Sequence, residues 1–152
     1  MKKEYLLTFI STLLILLWIY AAGSKLAEYT IFKDQLARQP LPSWSIPLLA
    51  WALPLIELVA VALLSFQQTL CKGFFLSFLL MFAFTVYIGL GLAHVYDKIP
   101  CSCGGILGKI KWKGHLIFNI FFLLLSLAGL LLQKSSYKAV SKFYPARPTR
   151  KI

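Results

Sequence analysis

Four long stretches of this chain are almost bare of charge, and that pattern constrains its fold more than any motif. Residues 5–24 carry no charged side chain, and 46–70 carry one, Glu57. Residues 73–96 hold only the titratable His94, and 114–133 only His115 near the start. At a rise of about 1.5 Å per residue, roughly 20 helical residues cross the ~30 Å of hydrocarbon in a bilayer. The sequence therefore predicts an all-α integral membrane protein, a four-transmembrane-helix bundle with spans at about 5–22, 46–66, 74–96 and 115–132. Only 14% of the 152 residues are charged, against about a quarter in soluble domains. Little length is left for a soluble domain: residues 1–132 form the membrane unit and 133–152 a basic tail. The start, Met1-Lys2-Lys3 before Leu6–Tyr20 and Ala21-Ala22-Gly23-Ser24, also mimics a signal peptide, but its apolar run is longer than a usual one.

The net charge of +11 would suggest nucleic acid on a soluble domain. Here the basic residues flank apolar spans, where they act as topology signals and lipid-headgroup contacts, so no nucleic-acid partner is expected. In the tail, Lys134, Lys138 and Lys142 recur at i, i+4 and i+8, and Arg147, Arg150 and Lys151 follow. That is a basic, partly amphipathic extension suited to an anionic leaflet. With four spans, nine basic residues fall with the termini and the 67–72 turn, and seven fall on the other side. The positive-inside rule then puts both termini in the cytoplasm. Cys71 lies in the cytoplasmic turn, a membrane thickness from the other two cysteines.

Between the first two spans, Leu26, Tyr29, Phe32 and Leu36 recur at near-helical spacing among Lys25, Glu28, Lys33 and Asp34. This predicts a short interfacial helix, or span one continuing past the membrane. Pro40, Pro42 and Pro47 bracket Trp44 and predict an extended entry into span two. Trp44 and Trp51 suit an interfacial belt. In span three, Gly89 and Gly91 would allow close helix approach. No phosphate loop, Ser-His-Asp set or nucleotide fingerprint is present.

The residues with chemistry sit near one end. Cys101-Ser102-Cys103-Gly104-Gly105 lies on a loop of about 98–113 between spans three and four. A disulfide closing so small a ring is strained, and strained, exposed disulfides are the exchanging kind. Glycine beside it gives backbone freedom and room for a partner sulfur. Competing readings are a fixed staple, which removes little chain entropy between near neighbours, and a zinc site using Cys101, Cys103 and His115. The spacing fits no common finger, so no metal is assigned. His115 opens span four, where it would lower a thiol pKa or shuttle a proton, or else anchor the helix end. Asn119, one turn on, would orient it or bond across helices. Glu57 is the one acid within the hydrocarbon and should face the bundle with a partner. Its functional readings are a proton relay or a polar contact to a buried quinone headgroup; its structural reading is a bond to a lysine such as Lys25. Paired thiols function as a disulfide in an oxidising compartment, which favours a periplasmic loop.

Gly23-Ser24-Lys25-Leu26 and Pro54-Leu55-Ile56-Glu57 resemble the DoxX-like superfamily, and Cys101-Ser102-Cys103-Gly104-Gly105 with His115 and Asn119 resembles its MauE branch. The resemblance covers about 5–132. It implies a four-helix protein of the bacterial inner membrane that handles redox equivalents beside a thioredoxin-like periplasmic partner. It further implies a part in methylamine utilisation, in maturing the disulfides of methylamine dehydrogenase. The expected function is a membrane thiol–disulfide relay, a possible oxidoreductase with Cys101, Cys103 and His115 as its working residues. Quinone is the electron carrier it would meet, with Glu57 and Asn119 as candidate contacts, though no quinone motif is present. The rival readings are a non-catalytic scaffold or accessory subunit, and a small-molecule transporter or sulfur-compound oxidase subunit using Glu57 and His94.

Overall fold

A computed structural model describes residues 2–39, 41–93 and 112–143. They form α1 (Lys2–Ala27), α2 (Tyr29–Ala37), α3 (Ser45–Ser65), α4 (Leu70–Leu92) and α5 (Trp112–Phe143), and no strand occurs among the described residues. All but α2 contain a stretch long and apolar enough to cross a membrane. α1 packs on α3, α3 on α4, α4 on α5, and α5 closes the ring against α1, while α2 lies along α3. The chain is thus a multi-pass membrane protein built as a four-helix bundle.

Each helix turns one stripe inward. Leu7, Ile10, Leu14 and Trp18 are buried at spacings of three and four in α1, as are Ala50, Pro54, Glu57, Ala60 and Leu64 in α3. Such spacings place side chains on one helix face. The outward faces are also apolar: Phe9, Leu16, Trp51, Leu55 and Phe121 are exposed. In water that exterior would aggregate; in lipid it is the solvent-matched surface, and burial alone gives helices little reason to associate. Close approach and internal polar contacts must do it instead.

Close approach comes at Gly73. A Cβ there would lie 2.8 Å from the Leu64 backbone nitrogen and 2.9 Å from the Leu63 carbonyl carbon. α4 therefore meets α3 backbone to backbone. Gly129 of α5 makes room for a side chain instead: a Cβ there would lie 2.5 Å from the Phe74 ring of α4. Gly89 has nothing within 4 Å of a Cβ, so the glycine expected to bring span three close does not, and the nearest contact is sixteen residues earlier in the helix. The side chain position of Gly91 lies outside the described residues.

Two further expectations are corrected. The segment before α3 is a turn rather than extended: Trp44 has φ −69° and ψ −25°, and Ser45 donates to the Pro42 carbonyl from both its N–H (3.0 Å) and its hydroxyl (2.7 Å). Pro47 falls in the first turn of α3, where its missing N–H would have had no helical partner. α4 starts at Leu70, because the Thr69 carbonyl already accepts from Gly73 N–H at 2.9 Å. Cys71 is therefore half-buried in the first turn of α4, not in the preceding loop. The fourth apolar span, Gly114–Gln133, lies where it is expected, and α5 runs on as helix through Phe143.

α1 also passes beyond its expected end. The helical bonds Glu28 N–H to Ser24 (3.1 Å) and Phe32 N–H to the Glu28 carbonyl (2.9 Å) nearly join α1 to α2. The break is at Glu28, with φ −114° and ψ 45°. α2 buries Phe32 and Leu36 against Ala50, Ile46 and Leu53 of α3, while Leu26 is exposed. The amphipathic pattern read from sequence thus serves a helix docked on its neighbour.

Candidate functional site within the bundle

Glu57 is fully buried on the inward stripe of α3, three residues after Pro54. A carboxylate at such depth demands a cation, because burying an unpaired charge is costly. Lys25 provides it: its Nζ donates to Glu57 Oε1 at 2.6 Å, and Lys25 is itself only 3% exposed. The structural partner named from sequence is therefore the one present. The ammonium also donates to the Ala21 carbonyl at 3.2 Å and stands 5.9 Å from the centroid of the Phe32 ring. The other carboxylate oxygen, Oε2, is buried with no hydrogen-bond partner.

The backbone is irregular on both sides of this pair. Pro54 has no N–H, so the Ala50 carbonyl loses its usual helical donor. The α1–α2 break at Glu28 comes three residues after Lys25. Polar packing in a membrane is found where such interruptions are enclosed by protein.

His115 and Asn119 are 8% and 9% exposed, one turn apart on the inward face of α5. Their level follows from the contacts Gly73–Leu64 and Gly129–Phe74, which fix the helices against one another. Counting from there, Glu57 lies seven residues along α3, about 10 Å. Asn119 lies ten residues along α5, about 15 Å, and His115 about 21 Å. Glu57 and Asn119 thus lie in the same half of the bundle, with His115 nearer the end where α5 begins. Nearby, Gln39, buried after α2, accepts a hydrogen bond from Tyr87 of α4 and donates to the Gln35 carbonyl at 3.2 Å. Neither Gln39 nor Tyr87 carried a sequence signal.

Trp18 and Ser77 were also missed. The indole N–H donates to the Ser77 hydroxyl at 2.9 Å between diagonally placed helices, both residues being buried. In helices that are apolar all round, nothing distinguishes the tryptophan that faces inward from those that face lipid.

Cys101, Cys103 and His94 lie outside the described residues, so the thiol pair and its distance from His115 have no geometry to describe. Among the described residues, no group of three His, Cys, Asp or Glu side chains could hold a metal ion.

A family model described as methylamine utilisation protein MauE matches residues 3–132. No curated protein and no solved structure matches the chain.

Proposed function

Because the chain belongs to the MauE family across residues 3–132, we propose that it is a thiol–disulfide relay of the bacterial inner membrane acting in methylamine utilisation. Both termini are cytoplasmic in this reading, with the basic tail near the anionic leaflet and the Cys101–Cys103 loop in the periplasm. The observation that carries the proposal is the family match over a chain whose paired thiols sit between two spans, next to a helix that opens on a buried histidine.

The chemistry is exchange. A thiolate of a periplasmic thioredoxin-like protein attacks one sulfur of the Cys101–Cys103 disulfide and forms a mixed disulfide, releasing the other sulfur as a thiolate. The second thiolate of the partner then attacks its own bridged sulfur. The partner leaves oxidised, and Cys101 and Cys103 remain as a dithiol. The two electrons and two protons of that dithiol pass to a membrane quinone, which becomes quinol as the disulfide re-forms. In this reading His115, at the start of the fourth span, favours the thiolate. By family resemblance, the partner's clients are the disulfides of methylamine dehydrogenase.

Trapping tests this. A Cys103→Ala or Cys101→Ala variant should accumulate a mixed disulfide with a periplasmic thioredoxin-like protein, visible as a reductant-sensitive band. If neither variant does, the relay fails and an accessory subunit of a membrane complex is the reading left. Labelling with a membrane-impermeant thiol reagent, before and after reduction, reports the side of the loop and its redox state together.

A further inference from the structure

We propose that Glu57 is a proton-binding site in the bundle interior, and that loading it frees the end of α1 from α3. The carboxylate is half engaged: Oε1 takes the Lys25 ammonium at 2.6 Å, while Oε2 is buried and accepts nothing. Leaving a buried acceptor unpaired is destabilising, and the surrounding residues have not removed that cost. Glu57 has no exposed surface, so a ligand with volume has no room beside Oε2. A proton requires none.

The groups around the carboxyl group favour such a role. From α1 comes Lys25, already bonded to the Ala21 carbonyl and set against the Phe32 ring. From α2 comes Phe32, while Lys33, Asp34 and the junction residue Glu28 are exposed. The described part of α4 turns Tyr87 to Gln39. Across the bundle, His115 of α5 is buried roughly 10 Å further toward the loop end. Lys25 is thus the one cation in contact with Glu57 among the described residues. A proton on the carboxylate removes the charge that holds Lys25, and the ammonium keeps its bond to the Ala21 carbonyl within α1.

That loss falls where both helices are already interrupted. Lys25 lies three residues before the break at Glu28, and Glu57 three residues after Pro54. The ion pair therefore joins two weakened points in the backbone ladder, and releasing it unlocks the α1–α2 junction. The site is independent of the thiols, so it does not depend on the relay being correct.

Infrared spectroscopy of the full-length protein in lipid nanodiscs tests the proposal. Lowering the pH should raise a protonated-carboxyl stretch that shifts in D2O. It should appear in wild type and in the Cys101→Ala/Cys103→Ala protein but not in Glu57→Gln. No Glu57-dependent band at any pH where the helices persist would overturn the site. Glu57→Gln mimics the loaded state, so amides 28–32 should exchange roughly tenfold faster than in wild type at neutral pH. Equal rates would overturn the unlocking. Should Glu57→Gln not fold, Lys25→Met provides the second arm. There the carboxyl group has lost its cation and should carry its proton at neutral pH already; an ionised Glu57 in that variant would refute the proposal.

Discussion

The two halves of the bundle are held together by different means. Toward the 66–69 turn, contact is dry and close: Gly73 lets α4 touch the α3 backbone, Gly129 seats the Phe74 ring, and Leu14, Leu64 and Leu70 fill the space between. Toward α2 and the start of α5, the interior holds Lys25, Glu57, Gln39, His115 and Asn119, all buried. Because lipid tails are as apolar as leucine, burial alone holds neither half. The first half gains dispersion contacts by steric fit. The second gains hydrogen bonds and an ion pair, at the expense of desolvating charged groups. A half built only for stability would have no need of the second method, since apolar residues of similar volume often replace a buried ion pair at no loss. The cost is explained if these groups have work to do.

The largest test of that contrast is at the ion pair. Lys25→Met leaves the buried Glu57 carboxyl group without its only partner among the described residues, and Glu57→Leu strands the ammonium. Breaking a buried pair from one side costs about 3–5 kcal/mol, so either single variant should lose most of its resistance to thermal or detergent unfolding. The double variant Lys25→Met/Glu57→Leu should recover much of it. If each single variant costs under ~1 kcal/mol, the pair is not a closed interior contact and the two halves differ less than described.

A smaller effect is expected in the dry half. In Gly73→Ala the new methyl meets backbone atoms at 2.8 and 2.9 Å, which cannot swing aside as a side chain would. The helices must separate, at a cost of about 1–3 kcal/mol. Gly89→Ala is the internal control. Its methyl meets nothing within 4 Å, and alanine is the better helix former by ~0.5–1 kcal/mol, so that variant should match or exceed wild type. Thermal unfolding of the two in one lipid composition reads the difference directly. Equal behaviour would mean that α3 and α4 do not meet at Gly73.

These two glycines also show what the sequence could and could not reveal. Charge-free runs of membrane length exposed all four spans, since nothing but hydrocarbon favours so many apolar residues in series. Glu57 was identifiable for the converse reason: one acid in such a run must find a cation, and Lys25 was the near candidate. The inward faces were harder to read. Helices apolar on every side have no amphipathic period to orient them, so Gly89 could not be told from Gly73, nor Trp18 from Trp51. Helix limits followed local bonds instead of hydropathy. The Thr69 carbonyl accepts the first bond of α4, and α5 continues as helix past the apolar span through Phe143. The family relationship, by contrast, could be read from a few short motifs because their order and spacing across the spans carried it.

The smallest expected effect lies at the boundary between the halves, where Trp18 donates to Ser77 at 2.9 Å. Ser77→Ala removes the acceptor and leaves the indole N–H without that bond inside the bundle. Side-chain hydrogen bonds between membrane helices average about 0.6 kcal/mol and reach about 1.7, so the loss should fall in that range. Ser77→Thr keeps a hydroxyl but adds a methyl to a fully buried position. Unfolding measurements on both separate bonding from packing. A cost in Ser77→Ala alone assigns the effect to the hydrogen bond, and a larger cost in Ser77→Thr assigns it to volume. The second result would extend the sterically fitted half one turn further.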